Sequence, residues 1–293
     1  MSPLRFSIVI PSHDRPVELV ACLEALSSLD FPHDRFEVIV VDDGSPTPVE
    51  AVTDAFEDRL RIRVVRRSRG GPAAARNTGV EIASGRYVVF TADDCRPRAD
   101  WLTVLDARFT VDPDAGVGGR IENRETENLF STSTDMLLRH MYAHFNTPAD
   151  HSRFFTPNNL AFPLAEFRAA GGFIDSFVTG EDRELCDRWR TQGRRLLYAP
   201  EAVVEHHHPL GFGGFLYLHY RYGRGSFRFR REAARRGSAA ARFEPASFYF
   251  GLIRYPLAAS RGGRGLAMSG LLCLAQVANA IGFFRQALAQ SRR

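Results

Sequence analysis

The stretch Tyr87-Val88-Val89-Phe90-Thr91-Ala92-Asp93-Asp94-Cys95-Arg96-Pro97 runs an apolar strand signal straight into two adjacent acids. Like charges side by side at the carboxyl end of a parallel strand repel unless a cation or several donors sit between them. That edge is also where open α/β sheets bind ligands. Two readings fit these residues alone: a divalent cation gripping a diphosphate, or a solvated Asp-Asp turn capping a helix that begins near Pro97.

Outward from this stretch, strand and helix signals alternate. Residues 6–10 form a short apolar run closed by Pro11-Ser12, and Leu19, Val20, Leu23 and Leu26 recur at helical spacing after Pro16 and Glu18. The alternation repeats over 36–41 and 49–60, 62–65 and 72–83, and 87–90 and 97–109. It predicts an α/β fold, a Rossmann-like, mostly parallel sheet with helices on both faces. Pro11-Ser12-His13-Asp14-Arg15 after the first strand lacks the glycine fingerprint of a dinucleotide site.

The second strand ends in Asp42-Asp43-Gly44-Ser45, which places another acid pair at the same sheet edge, although Asp-Gly-Ser is also an ordinary turn. Arg69-Gly70-Gly71-Pro72 opens a helix carrying Arg76 and Asn77. Glycines there are expected to leave backbone N–H groups free for an anion, with Arg76 either adding bonds to phosphate or lying on the surface.

The 293 residues carry a formal charge of +4, and all 38 basic residues are arginine. A uniform arginine bias is a compositional background against which any single arginine must be weighed. Cysteines 22, 95, 186 and 273 are too scattered for a zinc or redox motif. With no long apolar run before the first strand, reduced thiols in a cytoplasmic protein are expected.

Eight segments together resemble a family 2 glycosyltransferase of the GT-A type. They are Ser7-Ile8-Val9-Ile10-Pro11-Ser12, Val40-Val41-Asp42-Asp43-Gly44-Ser45, Ala75-Arg76-Asn77-Thr78-Gly79, Phe90 to Pro97, Asn159-Leu160-Ala161-Phe162, Gly171-Gly172-Phe173, Gly180-Glu181-Asp182 with Leu185 and Trp189, and Tyr198 to His206. The resemblance implies an inverting transfer of a sugar from a nucleotide diphosphate (UDP, GDP or dTDP) to an acceptor hydroxyl. It implies that Pro11, Ser12, Asp42 or Asp43, and Arg76 hold the nucleotide, and that Asp94 binds Mg²⁺ or Mn²⁺. Ala92 stands where the family's Asp-x-Asp motif has its first Asp, so Asp93 is assigned to the ribose or a metal-bound water. His206 is assigned to the metal shell, and Asn159 and Glu181 to sugar contacts.

Asp182 can also be argued from spacing. It lies on the face that Leu185, Cys186 and Trp189 make apolar, so its carboxylate faces the protein or a cleft. Helix N-terminal N–H groups are expected to keep it ionised as the general base. Residues 1–210 read as the GT-A domain and 211–293 as a basic, aromatic and apolar helical region.

In that region Phe212, Phe215, Tyr217 and Tyr220 interleave with arginines, which suits a membrane interface or nucleic acid. Residues 266–284 are free of formal charge, about 28 Å of helix, with Ser269, Gln276 and Asn279 as a polar seam. Arg261 and Arg264 precede this segment, and Arg285 and Arg292 follow it. Charges at both ends oppose a simple span and favour helices lying on the anionic inner face of the cell membrane rather than on nucleic acid. A soluble helical subdomain or a homodimer fits the same residues. A membrane position would suit a lipid-linked or envelope glycan acceptor. A non-catalytic sugar-nucleotide scaffold is the alternative that Ala92 motivates.

Overall fold

The computed structural model describes residues 3–260 and 262–291, so Arg261 and Arg292 lie outside the described residues. The chain begins with β1 (Phe6–Ser12), α1 (Pro16–Ser27), β2 (Phe36–Asp42), α2 (Glu50–Thr53), β3 (Ile62–Arg66), α3 (Pro72–Ile82) and β4 (Tyr87–Phe90). It continues with β5 (Cys95–Pro97), α4 (Trp101–Val111), β6 (Gly116–Asn123), α5 (Leu129–Phe145), β7 (Leu160–Pro163), α6 (Leu164–Ala169), α7 (Glu181–Thr191) and β8 (Leu196–His206). Three helices close it: α8 (Phe212–Arg235), α9 (Ala246–Ala259) and α10 (Gly263–Ser291).

One mixed sheet carries the strands in the order β3-β2-β1-β4-β7-β6-β8-β5. The four strands of the alternating region are parallel, as expected. Beyond β4 the direction changes, because β7 is antiparallel to both β4 and β6, while β8 runs parallel to β6. Strand residues alternate between two cores. Ile8, Val38 and Val89 pack under α1 and α4, and Val9, Ile39 and Phe90 pack under α3, α5 and α7.

Two predicted helices differ. Residues 49–60 hold only the short α2 followed by a 3₁₀ turn at Asp54–Phe56; Val49, Val52 and Thr53 are β-branched and weak helix formers. The helix expected from Pro97 begins instead at Trp101, because Cys95–Pro97 is a strand paired antiparallel with β8. Asp93 and Asp94 therefore do not cap a helix.

The C-terminal helices pack on the rest of the chain. A Cβ built at Gly223 would lie 1.8 Å from the Asn279 carbonyl oxygen, and one at Gly282 would lie 2.0 Å from that of Tyr220. Only glycine permits so close a crossing of α8 and α10. Thr179 just before α7 donates to the Arg221 carbonyl at 2.7 Å, tying α8 to the loop that leads into α7.

Two of the arginines expected at lipid headgroups, Arg224 in α8 and Arg236 just after it, make side-chain contacts within the chain. Arg224 donates to Gln286 at 3.0 Å, and Arg236 pairs with Glu184 and Asp187 at 2.8 Å each. The polar seam of α10 faces inward, with Ser269 donating to the Ile253 carbonyl. Leu274, Val277, Ile281, Phe284 and Leu288 are exposed instead. By length and composition α10 could cross a membrane, and 28% of its most apolar window is buried against the rest of the chain.

Candidate active site

The carboxyl ends of β1 and β4 bring Ser12 and Asp93 together: the Ser12 hydroxyl donates to Asp93 Oδ2 at 2.9 Å. Arg15, in the turn after β1, reaches Asp93 Oδ1 at 3.2 Å and Asp94 Oδ2 at 2.7 Å. Pairing of Cys95 with His206 across β5 and β8 then delivers histidines to the second acid. His206 Nε2 lies 3.4 Å from Asp94 Oδ1, and His208 Nδ1 lies 3.5 Å from Asp94 Oδ2, the two rings stacking with centroids 5.3 Å apart.

Environment separates the two acids. Burial and the charge of Asp94 push Asp93 up to about 6, against the opposing effects of Arg15 and Ser12. Burial would raise Asp94 as well, but hydrogen bonds from His206 and His208 and the charge of Arg15 hold it well below the usual carboxylate range. Asp94, Cys95 and His206 lie close enough to share a metal ion. Burial lifts the Cys95 thiol well above its ordinary value, so it stays protonated and is a poor ligand. One ionised carboxylate facing two imidazoles is a donor set that fits a divalent metal, with Arg15 as the cation beside it.

Ala92 has a local explanation. It packs against the core beneath α1, and its carbonyl accepts from the Cys22 thiol and the Cys95 N–H.

The residues expected around the nucleotide divide. Asp43 accepts from Arg67, from Gly70 N–H at 2.9 Å and from Gly71 N–H at 2.7 Å. The glycine turn's N–H groups are thus spent on Asp43 rather than left free for an anion. Asp42 accepts from Ser45 N–H and has Arg66 at 3.6 Å. Pro11 is half-buried in β1 beside Val41. Arg76 is no surface arginine: it is 4% exposed, pairs with Glu181 at 3.2 Å, and has a buried Nε without a hydrogen-bond partner.

Asn159, expected at a sugar contact, does not line the cavity described below. It is buried, accepts from the Trp101 indole, and donates to the Arg120 and Ala202 carbonyls at 2.9 Å each, so it bolts β6, β8 and α4 together.

Glu181 and Asp182 open α7, as expected, and Leu185, Cys186 and Trp189 are fully buried beneath them. Asp182 is half-buried and accepts from the Arg183 N–H at 2.7 Å. Burial, then the neighbouring Glu181, push its carboxyl up to about 7. That reverses the expectation that the helix terminus would dominate; a single backbone N–H does not offset the loss of water.

A cavity of about 400 Å³ joins these groups, with Arg76, Glu181, Asp182, His206 and His208 in its wall. Its remaining surface is mostly apolar and comes from α5, α8, α9 and α10, including Leu138, Met141, Phe248 and Tyr249. Four lining or bridging residues were missed in the sequence. His208 was within reach, since strand alternation puts it on the same side as His206. Arg15 sits in a turn read only for its missing glycines. Asp135 lies on α5, inside a segment without a motif, and burial raises it to about 6. Tyr222 belongs to the aromatic run after Pro209, whose reading as a membrane interface gives it no place at this site.

Residues 7–169 match the family model for glycosyl transferase family 2. Glycosyltransferase AglE of Haloferax volcanii is 26% identical over 227 residues, 75% of this chain and 72% of that protein. Pre-mycofactocin glycosyltransferase of Mycobacterium tuberculosis is 32% identical over 210 residues, 69% of this chain but only 42% of that longer protein. The mannosyltransferase PcManGT of Pyrobaculum calidifontis, solved with GDP-Man and Mn²⁺, superposes over 95% of this chain and 89% of its own with a TM-score of 0.69 at 19% identity. Residues 1–349 of Staphylococcus aureus TarS superpose over 99% of this chain and 92% of their own length at a TM-score of 0.63 and 15% identity. These two share the GT-A-like fold, and the family match covers more than half of the sequence: the chain belongs to glycosyltransferase family 2.

Proposed function

We propose that this glycosyltransferase moves a sugar from a nucleoside diphosphate donor to an acceptor hydroxyl by one displacement that inverts the anomeric carbon. Asp182 takes the acceptor proton as the acceptor oxygen bonds to that carbon and the bond to the diphosphate oxygen breaks. A carboxyl poised near 7 suits a general base at neutral pH. Glu181 is held by Arg76, so it positions the Asp182 helix and leaves the adjacent carboxylate to the acceptor. Asp94, His206 and His208 would hold the divalent metal, with Asp93 and Ser12 beside it on the donor side. Bound there, the metal would neutralise charge on the departing diphosphate. A mixed carboxylate and imidazole set favours Mn²⁺ over Mg²⁺, which prefers all-oxygen shells.

The observation that carries this reading is the shared cavity, with Asp182 and the Asp94 histidines in one wall system. Donors of related structures, UDP-GlcNAc in TarS and GDP-Man in PcManGT, motivate UDP and GDP as the first to try. The exposed apolar stripe of α10, between Arg264 and Arg285, supports a peripheral position on the cytoplasmic face of a membrane and a lipid-linked or envelope glycan as acceptor.

The test is Asp182→Asn. Transfer should fall about 10²–10⁴-fold, the range for loss of a general base, with donor diphosphate affinity unchanged. Full transfer by the variant would remove Asp182 from the role. Absence of transfer by the native chain to every acceptor tried, with donor binding intact, would favour a non-catalytic scaffold.

A further inference from the structure

A second cavity, about 390 Å³, is lined along α7 by Arg183, Asp187, Arg190 and Thr191 and shares Phe145, Phe154, Arg183, Phe243 and Glu244 with the first. Arg153, Arg183, Arg190 and Arg242 all line it. Its two acids are already engaged: Asp187 accepts from Arg236 at 2.8 Å and from Ser238 at 2.6 Å, and Glu244 is 2.9 Å from His144 Nε2. Among the described residues none of the four guanidinium groups makes an ion pair with a carboxylate, whereas Arg236, Arg188 and Arg76 nearby all do.

The array is held in place by other means. Arg183 sits against three rings, with its guanidinium carbon 4.9 Å from the Phe229 centroid, 5.6 Å from Phe145 and 5.9 Å from Phe154. Arg153 stacks on Phe145 at 4.9 Å and donates to the His144 carbonyl at 3.2 Å. Burial and then the charge of Arg153 lower the pKa of Arg190, against the opposing charge of Asp187, which is itself bonded to Arg236 and Ser238. The half-buried Arg183 and the exposed Arg153, Arg190 and Arg242 thus present guanidinium forks to one cavity, and such forks match the geometry of phosphate oxygens. Arg183 follows Asp182 directly, so an anion held here would lie one residue along the helix from the base.

We propose that this arginine cavity binds a phosphate or diphosphate group carried by the acceptor, so that the enzyme takes a phosphorylated acceptor whose hydroxyl reaches Asp182 through the adjoining cavity. The proposal rests on the reading of Asp182 as the base on the acceptor side. Headgroups of an anionic membrane offer the same chemistry from another source, and the test separates the two.

The full chain and the double variant Arg153→Gln/Arg190→Gln are titrated with inorganic pyrophosphate in EDTA, with UDP and GDP in Mn²⁺, and with phosphatidylglycerol vesicles. The two altered side chains are exposed and hold no carboxylate, so the fold should be kept, and unchanged UDP or GDP binding reports it. Pyrophosphate affinity should drop at least about tenfold in the double variant, the scale of one lost charge-assisted contact, while vesicle binding stays the same. Equal pyrophosphate affinity in both chains, or none in the native chain, overturns the proposal. A loss of vesicle binding with pyrophosphate binding unchanged also overturns it and assigns the arginines to headgroups. Failure of UDP and GDP binding in the native chain would count against the transferase reading, and the pyrophosphate difference would still report on the anion site.

Discussion

Asp93-Asp94 and Glu181-Asp182 are both adjacent acid pairs at the candidate site, and in each pair one carboxyl has a raised pKa beside a neighbour held by cations. What differs is the counter-charge. Asp94 faces two histidines and Arg15, whose side chain is 39% exposed. Glu181 faces Arg76, whose side chain is 5% exposed and enclosed by α3, α7 and Phe173. An exchangeable cation suits a place where metal and diphosphate come and go. A locked one suits a pair whose second member must keep a fixed position and pKa.

The largest break in this contrast is Arg76→Met. It leaves Glu181 without its buried partner and should lower stability in urea by about 3–5 kcal/mol, the usual result of removing one half of a buried pair. A change under 1 kcal/mol would mean that Glu181 does not depend on Arg76 for its counter-charge. Next is the pH dependence of transfer. Asp182 must be ionised to accept a proton, so with its carboxyl at about 7 the rate should fall tenfold per pH unit below that value. A rate flat down to pH 5 would place the base elsewhere. The smallest effect is that of Arg15→Gln. Removing a half-exposed cation from Asp94 should shift stability by less than about 1 kcal/mol, yet tighten Mn²⁺ binding in direct titration. Weaker binding would make Arg15 a helper of the metal site instead of its competitor.

The parallel half of the sheet was legible because each strand is a short β-branched run followed by a helix with its own start signal. The antiparallel half was not, since β6 has glycine at three of its first four positions and β7 is four residues long. Asp94, Asp182 and His206 were legible because each lies at the end of an element whose apolar pattern fixes its direction. Asn159 shows the limit of such reasoning. Its place in a motif is the same whether it lines a cavity or bonds to two carbonyls and an indole, and only the packing of Gly119 and Trp101 around it shows the second. Asp43 and the glycine turn carry the same lesson, because donors that look free in sequence were taken by an acid 27 residues away. The arginines of α8 could not be sorted into staples and surface charges until α7 and α10 were packed against them.

The most direct test of the division between the two acid pairs is calorimetric titration of the native chain, Asp94→Asn and Asp182→Asn with UDP and with GDP, each in Mn²⁺ and in EDTA. One diphosphate should bind the native chain and Asp182→Asn alike in Mn²⁺ and far more weakly in EDTA, and Asp94→Asn should lose that metal dependence. Metal-dependent binding that survives in Asp94→Asn, or disappears in Asp182→Asn, would contradict the account.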